Sequence, residues 1–142
     1  MFKTTVKYTD FLGEEREETL RFNLTEIEMQ NLSTDEIVFN PALLAAIAKE
    51  KDAMAMYKVI QKLILHAYGE LSEDGRVFRK SDQIRSDFAN SMAYSEFLTQ
   101  VLSSDTMITN FMLGVFPAKI AEEIKKQGLL DQKVIPIQNP TT

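Results

Sequence analysis

"AYGELSEDGRVFRKS", residues 67–81, leaves an apolar helical run at one glycine, gathers three acids around a second, and then turns basic and aromatic. How it is read decides what the chain does between its N-terminal and C-terminal halves. Upstream, Met56, Ile60, Leu63, Ile64 and Ala67 recur at helical spacing with Lys58 and Lys62 opposite, the signature of an amphipathic helix. Gly69 is then the expected C-cap, where the left-handed conformation carries no Cβ penalty. "EDG" predicts a turn in which Gly75 supplies positive φ, followed by an extended "RVFRK" anchored to the core through Val77 and Phe78. A calcium loop comes close and fails. With Gly75 at loop position six, Glu70, Ser72 and Asp74 fall at one, three and five, but Ser81 stands where the bidentate glutamate belongs. The stretch reads as a structural connector.

Toward the N-terminus, Phe2, Thr4, Val6 and Tyr8 alternate with Lys3, Thr5 and Lys7, the period of a half-buried strand. "DFLG" is a turn, and Leu20, Phe22 and Leu24 alternate after it, so residues 2–24 predict an antiparallel hairpin with one apolar face. A lone hairpin must cover that face. Thr25 and Glu28 form a capping box opening a short helix, and Pro41 suits another helix start. Asp52 either caps a fresh helix or sits inside a continuous one.

Downstream, Ser81 caps a helix holding Ile84 and Phe88. Tyr94, Phe97, Leu98, Val101 and Leu102 form a full apolar stripe. "SSD" interrupts it, and Ile108, Phe111, Met112, Val115 and Phe116 repeat the spacing. Pro117 opens a last helix that ends at Gly128. The expected fold is α+β and mainly α-helical, an N-terminal β-hairpin packed on a bundle of about five or six helices. One domain spans 1–128, with the hairpin at 2–24 and the helical part at 25–128, and 129–142 is a mobile C-terminal tail.

Composition narrows the function. The chain of 142 residues, 44% hydrophobic and 26% charged, has the balance of one soluble domain. Without cysteine there is no disulfide, thiolate metal site or thiol nucleophile. For the single histidine, His66, local spacing identifies no paired Ser or Asp, and an exposed helical histidine is commoner than a general base. The glutamate pairs sit in solvated contexts, and neither GxGxxG nor GxxxxGK[ST] occurs. No enzyme, metal or cofactor is expected. A net charge of −5 without a basic cluster argues against nucleic acid. No apolar run spans a bilayer and no signal peptide opens the chain, so a cytoplasmic protein is expected. Residues 10–36 hold nine acids against Arg16 and Arg21, a formal −7; this is either a solvated face or a docking surface for a basic partner.

The candidate partner-binding residues are Met107, Ile108, Phe111, Met112, Val115 and Phe116. Met107 beside Ile108 widens the apolar face, and methionine suits adaptable grooves. The plain alternative is that these side chains fill the core.

"LILHAYGELSEDGRVFRKS" and "FANSMAYSEFLTQVLSSDTMITNFMLGVFP" resemble the tail assembly chaperones of long-tailed bacteriophages. The order of parts is similar too: strand pair, helix ending in A-Y-G, S-E-D-G-[KR] turn, aromatic and basic link, A-Y-S-E-F helix, apolar helix ending at proline. The similarity covers most of residues 2–117. It implies a non-catalytic protein that binds the helical, aggregation-prone tape measure protein in the host cytoplasm. Such a protein helps gather major tail protein around the tape measure and is lost before the virion is finished. In many members a frameshifted longer form contacts the tail protein. Self-association is left open. The competing reading is a helical protein-binding adaptor outside phage assembly.

Overall fold

The computed structural model of the chain describes residues 1–35 and 52–126. The helix expected at Pro41, the stop at Gly128 and the tail expected at 129–142 lie outside them. Strands β1 (Phe2–Thr9) and β2 (Glu15–Phe22) pair antiparallel, from Phe2 opposite Phe22 to Thr9 opposite Glu15. The alternation places Val6, Leu20 and Phe22 in the core. Beyond the Val6–Glu18 pair the hairpin has no buried residue.

Among the described residues the helices are α1 (Glu26–Asp35), α2 (Ala53–Ala67), α3 (Asp82–Ala89), α4 (Met92–Val101), α5 (Asp105–Val115) and α6 (Ala118–Lys126). The class is therefore α+β, and the helix starts follow local chemistry. Thr25 and Glu28 make the reciprocal capping box, at 2.9 Å from the Thr25 N–H to the Glu28 carboxylate and 3.1 Å from the Glu28 N–H to the Thr25 hydroxyl. Asp52 accepts from Ala55 N–H, so α2 is a fresh helix. Ser81, Ser91 and Ser104 cap α3, α4 and α5 in the same way.

The 67–81 stretch departs from its expected reading. Helix α2 ends at Ala67, and Tyr68 is already extended, with φ −65° and ψ 140°. Tyr68–Leu71 forms strand β3, which adds to β2 with Phe22 opposite Tyr68 and Arg21 opposite Gly69; Phe78–Arg79 forms β4 beside it. The hairpin is thus part of a four-stranded sheet in the order β1-β2-β3-β4. Gly69 is not a left-handed cap; the positive φ values are at Gly13 (85°) and Gly75 (77°). It is needed for space. A Cβ there would lie 2.8 Å from the Phe78 ring and 2.9 Å from the Arg79 carbonyl oxygen. The physical cause is the free edge of β2, whose backbone groups need partners that local helix signals cannot reveal.

The "SEDG" turn is a hairpin turn, as Gly75 predicted. Ser72 Oγ donates to Asp74 (2.8 Å) and accepts from Val77 N–H (3.0 Å), while Asp74 also accepts from Arg76 N–H (3.1 Å). Those bonds hold the Asp74 carboxyl below the usual carboxylate range. Of the would-be calcium ligands, Ser72 and Asp74 are occupied in shaping the turn, and no acid or histidine cluster suited to a metal occurs among the described residues.

The core centres on Phe22. Its ring stacks on Phe97 (4.7 Å, 16°) and meets Phe111 edge-on (5.4 Å); Tyr68 stacks on Phe88 at 3.8 Å. Two ties close the sheet onto the helices. Asn23 N–H donates to the Ala67 carbonyl (2.9 Å) and Leu24 N–H to the Val115 carbonyl (3.2 Å).

Candidate functional site: an uncharged groove between two helices

The apolar stripe of α4 is wider than the core can absorb. Phe97 and Val101 turn fully inward, while Tyr94 and Leu102 stay half-buried. Across from them, α2 presents Tyr57 and Gln61. Between the two helices lies an open groove of about 530 Å³, floored by Tyr94, Leu98 and Leu102 and rimmed by Tyr57, Ser95 and Thr99. None of its described lining residues carries a charge.

Local sequence builds this groove. The α3–α4 corner is tight: Asn90 N–H bonds to the Ser86 carbonyl, Ser91 Oγ donates to the Phe88 carbonyl (2.7 Å), and Tyr94 N–H donates back to Ser91 Oγ (3.2 Å). Gln61 Nε2 reaches the Tyr94 hydroxyl at 3.4 Å. Burial first, and the neighbouring Tyr57, push the Tyr94 phenol above its usual range, against the pull of Gln61, so it stays neutral. One helical turn before Tyr57, on the same side of α2, Met54 is exposed and lengthens the apolar surface. Such a surface can take up an apolar side-chain row, and its neutral hydroxyls and amide add polar contacts.

The residues expected to bind a partner lie elsewhere. Phe111, Met112, Val115 and Phe116 are buried, with Phe111 at 0% exposure. Its ring lies 5.3 Å from Phe2 and 5.6 Å from Phe97. Met107 and Ile108 are half-buried at the start of α5, just past Leu102. The α5 stripe thus fills the core because β1 lies against it; a Cβ on Gly114 would be 2.8 Å from the Phe2 ring. Tyr57 and Gln61 were missed, since they fall beside the core-facing row of α2 and only the fold sets them opposite Tyr94. His66 is half-buried in the last turn of α2.

Beside the sheet, Lys80 Nζ donates to the Asn23 carbonyl (2.6 Å) and to Glu28 (2.8 Å). Burial alone would raise the Glu28 carboxyl, but the bonds from Lys80 and Thr25 outweigh it and hold it below the usual range. Burial pulls the Lys80 ammonium down, with Glu28 opposing. The "FRK" link is therefore an anchor between β4 and the capping box of α1.

An α+β domain with an open, uncharged groove is suited to holding another chain by its apolar face. Comparison with known proteins gives the family: the profile of the phage tail assembly chaperone family matches residues 1–142, and the chain belongs to that family. No curated protein and no solved structure matches it. The family implies a non-catalytic role in building the tail of a bacteriophage.

Proposed function

We propose that this chaperone binds the tape measure protein by taking the apolar face of one of its helices into the α2–α4 groove. The observation that carries the reading is a charge-free groove, lined by both apolar and neutral polar side chains, on a member of a tail assembly chaperone family. A long apolar helix needs temporary cover before the tail closes round it, and a helix-in-groove contact gives that cover through i, i+3 and i+4 anchors. Met107 and Ile108 extend the contact from the start of α5, while Phe111, Met112, Val115 and Phe116 support it from within. Many weakly held copies along one tape measure add through multivalency. The chaperone works in the host cytoplasm, helps recruit major tail protein, and leaves before the virion is complete.

The test is co-expression with a tape measure protein from the same phage, scoring soluble tape measure and co-elution. Wild type should raise the soluble fraction and co-elute. Thr99→Arg, which sets a cation in the groove from an exposed position, should do neither while staying folded. A tape measure indifferent to wild type would sink the proposal and favour an adaptor outside tail assembly.

A further inference from the structure

At the far end of the β1–β2 hairpin, Phe11 and Leu12 are 76% and 86% exposed. Large apolar side chains scattered singly on a surface call for no explanation. These two are adjacent, and the turn that carries them is unusually well fixed. One Asp10 carboxylate oxygen accepts from Leu12 N–H and Glu14 N–H, both at 2.9 Å, and the other from Arg16 Nε at 2.7 Å. Asp10 N–H donates to the Glu14 carbonyl (2.8 Å), Gly13 N–H donates to the Asp10 carbonyl (3.0 Å), and Gly13 supplies the positive φ. The Arg16 bond first, and the backbone bonds after it, hold the Asp10 carboxyl below its usual range. The turn thus presents two apolar side chains that the fold itself does not bury. A tip ordered in advance loses less entropy when it docks.

Charge selects the occupant. From Lys7 to Glu18 the hairpin carries five carboxylates against Lys7 and Arg16. Arg16 is taken up by Asp10, and Lys7 stands 3.9 Å from Glu17. Glu14 and Glu15 are exposed beside the apolar pair, and Glu18 lies farther down β2, opposite Val6. This collar repels nucleic acid and anionic lipid, and it disfavours a second copy of a chain whose net charge is −5.

We propose that the hairpin tip is a second docking site, independent of the groove, for a protein segment whose apolar face is flanked by lysine or arginine. Phe11 and Leu12 enter the apolar face and Glu14 and Glu15 meet the cations. Being exposed, those carboxylates set orientation and encounter rate more than affinity.

The probe is a fluorescein-labelled amphipathic helical peptide of leucine and lysine, titrated into the full chain carrying Thr99→Arg, which closes the groove to such a helix, with a leucine–glutamate peptide of the same pattern as control. The lysine peptide should bind, more weakly as salt rises, and the glutamate peptide should not. Phe11→Ser with Leu12→Ser should weaken binding by about tenfold or more, as removal of central anchors does. Glu14→Gln with Glu15→Gln, which leaves every turn bond in place, should weaken it less and flatten the salt dependence. No binding, or equal binding by the serine double variant or by the glutamate peptide, would overturn the proposal. So would self-association of the wild type that the serine pair abolishes, because the tip would then join copies of this chain.

Discussion

Two apolar stripes with the same spacing, 94–102 on α4 and 108–116 on α5, have different fates. The α5 stripe is sealed: Phe111, Met112 and Val115 are enclosed by β1, β2 and α4 through Phe2, Phe22 and Phe97. The α4 stripe is split, with Phe97 and Val101 inside and Tyr94, Leu98 and Leu102 lining the groove. A helical repeat of apolar residues thus states that a face is covered, and leaves open whether the cover is the protein's own core or a partner's helix. The more uniformly apolar stripe is the core one. The stripe with a tyrosine at one end and hydroxyl neighbours at Ser95 and Thr99 faces the groove.

Substitutions test this contrast in decreasing order of effect. Phe111→Asp should remove the cooperative melt seen by circular dichroism: loss of a buried phenylalanine alone costs about 3–5 kcal/mol, and a carboxylate without a partner adds to that. A folded Phe111→Asp would show that the α5 stripe is not sealed. Gly69→Val should lower the melting temperature by the equivalent of about 1–3 kcal/mol, because one of the two clashing neighbours is backbone and cannot swing aside. Unchanged melting would mean that β3 moves freely from β4.

Gly114→Ala is a finer probe of how closely α5 approaches β1. Alanine favours a helix by about 1 kcal/mol over glycine, yet its Cβ would meet the Phe2 ring at 2.8 Å. A small net loss of stability is expected, and a higher melting temperature would show that Phe2 yields. Glu28→Gln should cost about 1 kcal/mol near neutral pH, the scale of a partly exposed ion pair. Since the folded-state pKa of Glu28 lies below the ordinary 4.5, its stabilisation is complete above that value and is lost as pH falls through the folded-state value. The difference between wild type and Glu28→Gln in urea melts should therefore shrink below pH 4.5; a gap that persists into stronger acid would assign the effect to packing. Thr99→Arg should leave stability within about 0.5 kcal/mol, as exposed substitutions do. A large loss there would mean that the groove is packed shut.

Hydrogen bonds that close over a few residues were legible in advance. The box at Thr25 and Glu28, the cap at Ser81 and the positive φ at Gly75 each follow from short-range chemistry and occur as expected, and Asp52 takes the capping role, one of the two readings its sequence allowed. The hairpin also follows, because its alternation and its turn are local. Tyr68 and Gly69 were read as the end of a helix because nothing within a few residues of them reveals that β2 has a free edge. That edge belongs to a strand some 46 residues earlier in the chain, as the Phe22–Tyr68 pairing shows. Tyr57 and Tyr94 were unlinked for the same reason, while Phe11 and Leu12 carried a local sign, two large apolar residues inside a turn.

The sequence by itself determined the α+β class, the helix starts, the two apolar stripes and, through its motifs, the family, because caps, periodicity and turn glycines act over one or two helical turns. Tertiary structure decided that Tyr68–Leu71 is a strand, that α5 is core and that the groove opens beside α4. Those outcomes depend on which surfaces meet, and burial is a property of the pair of surfaces rather than of either one.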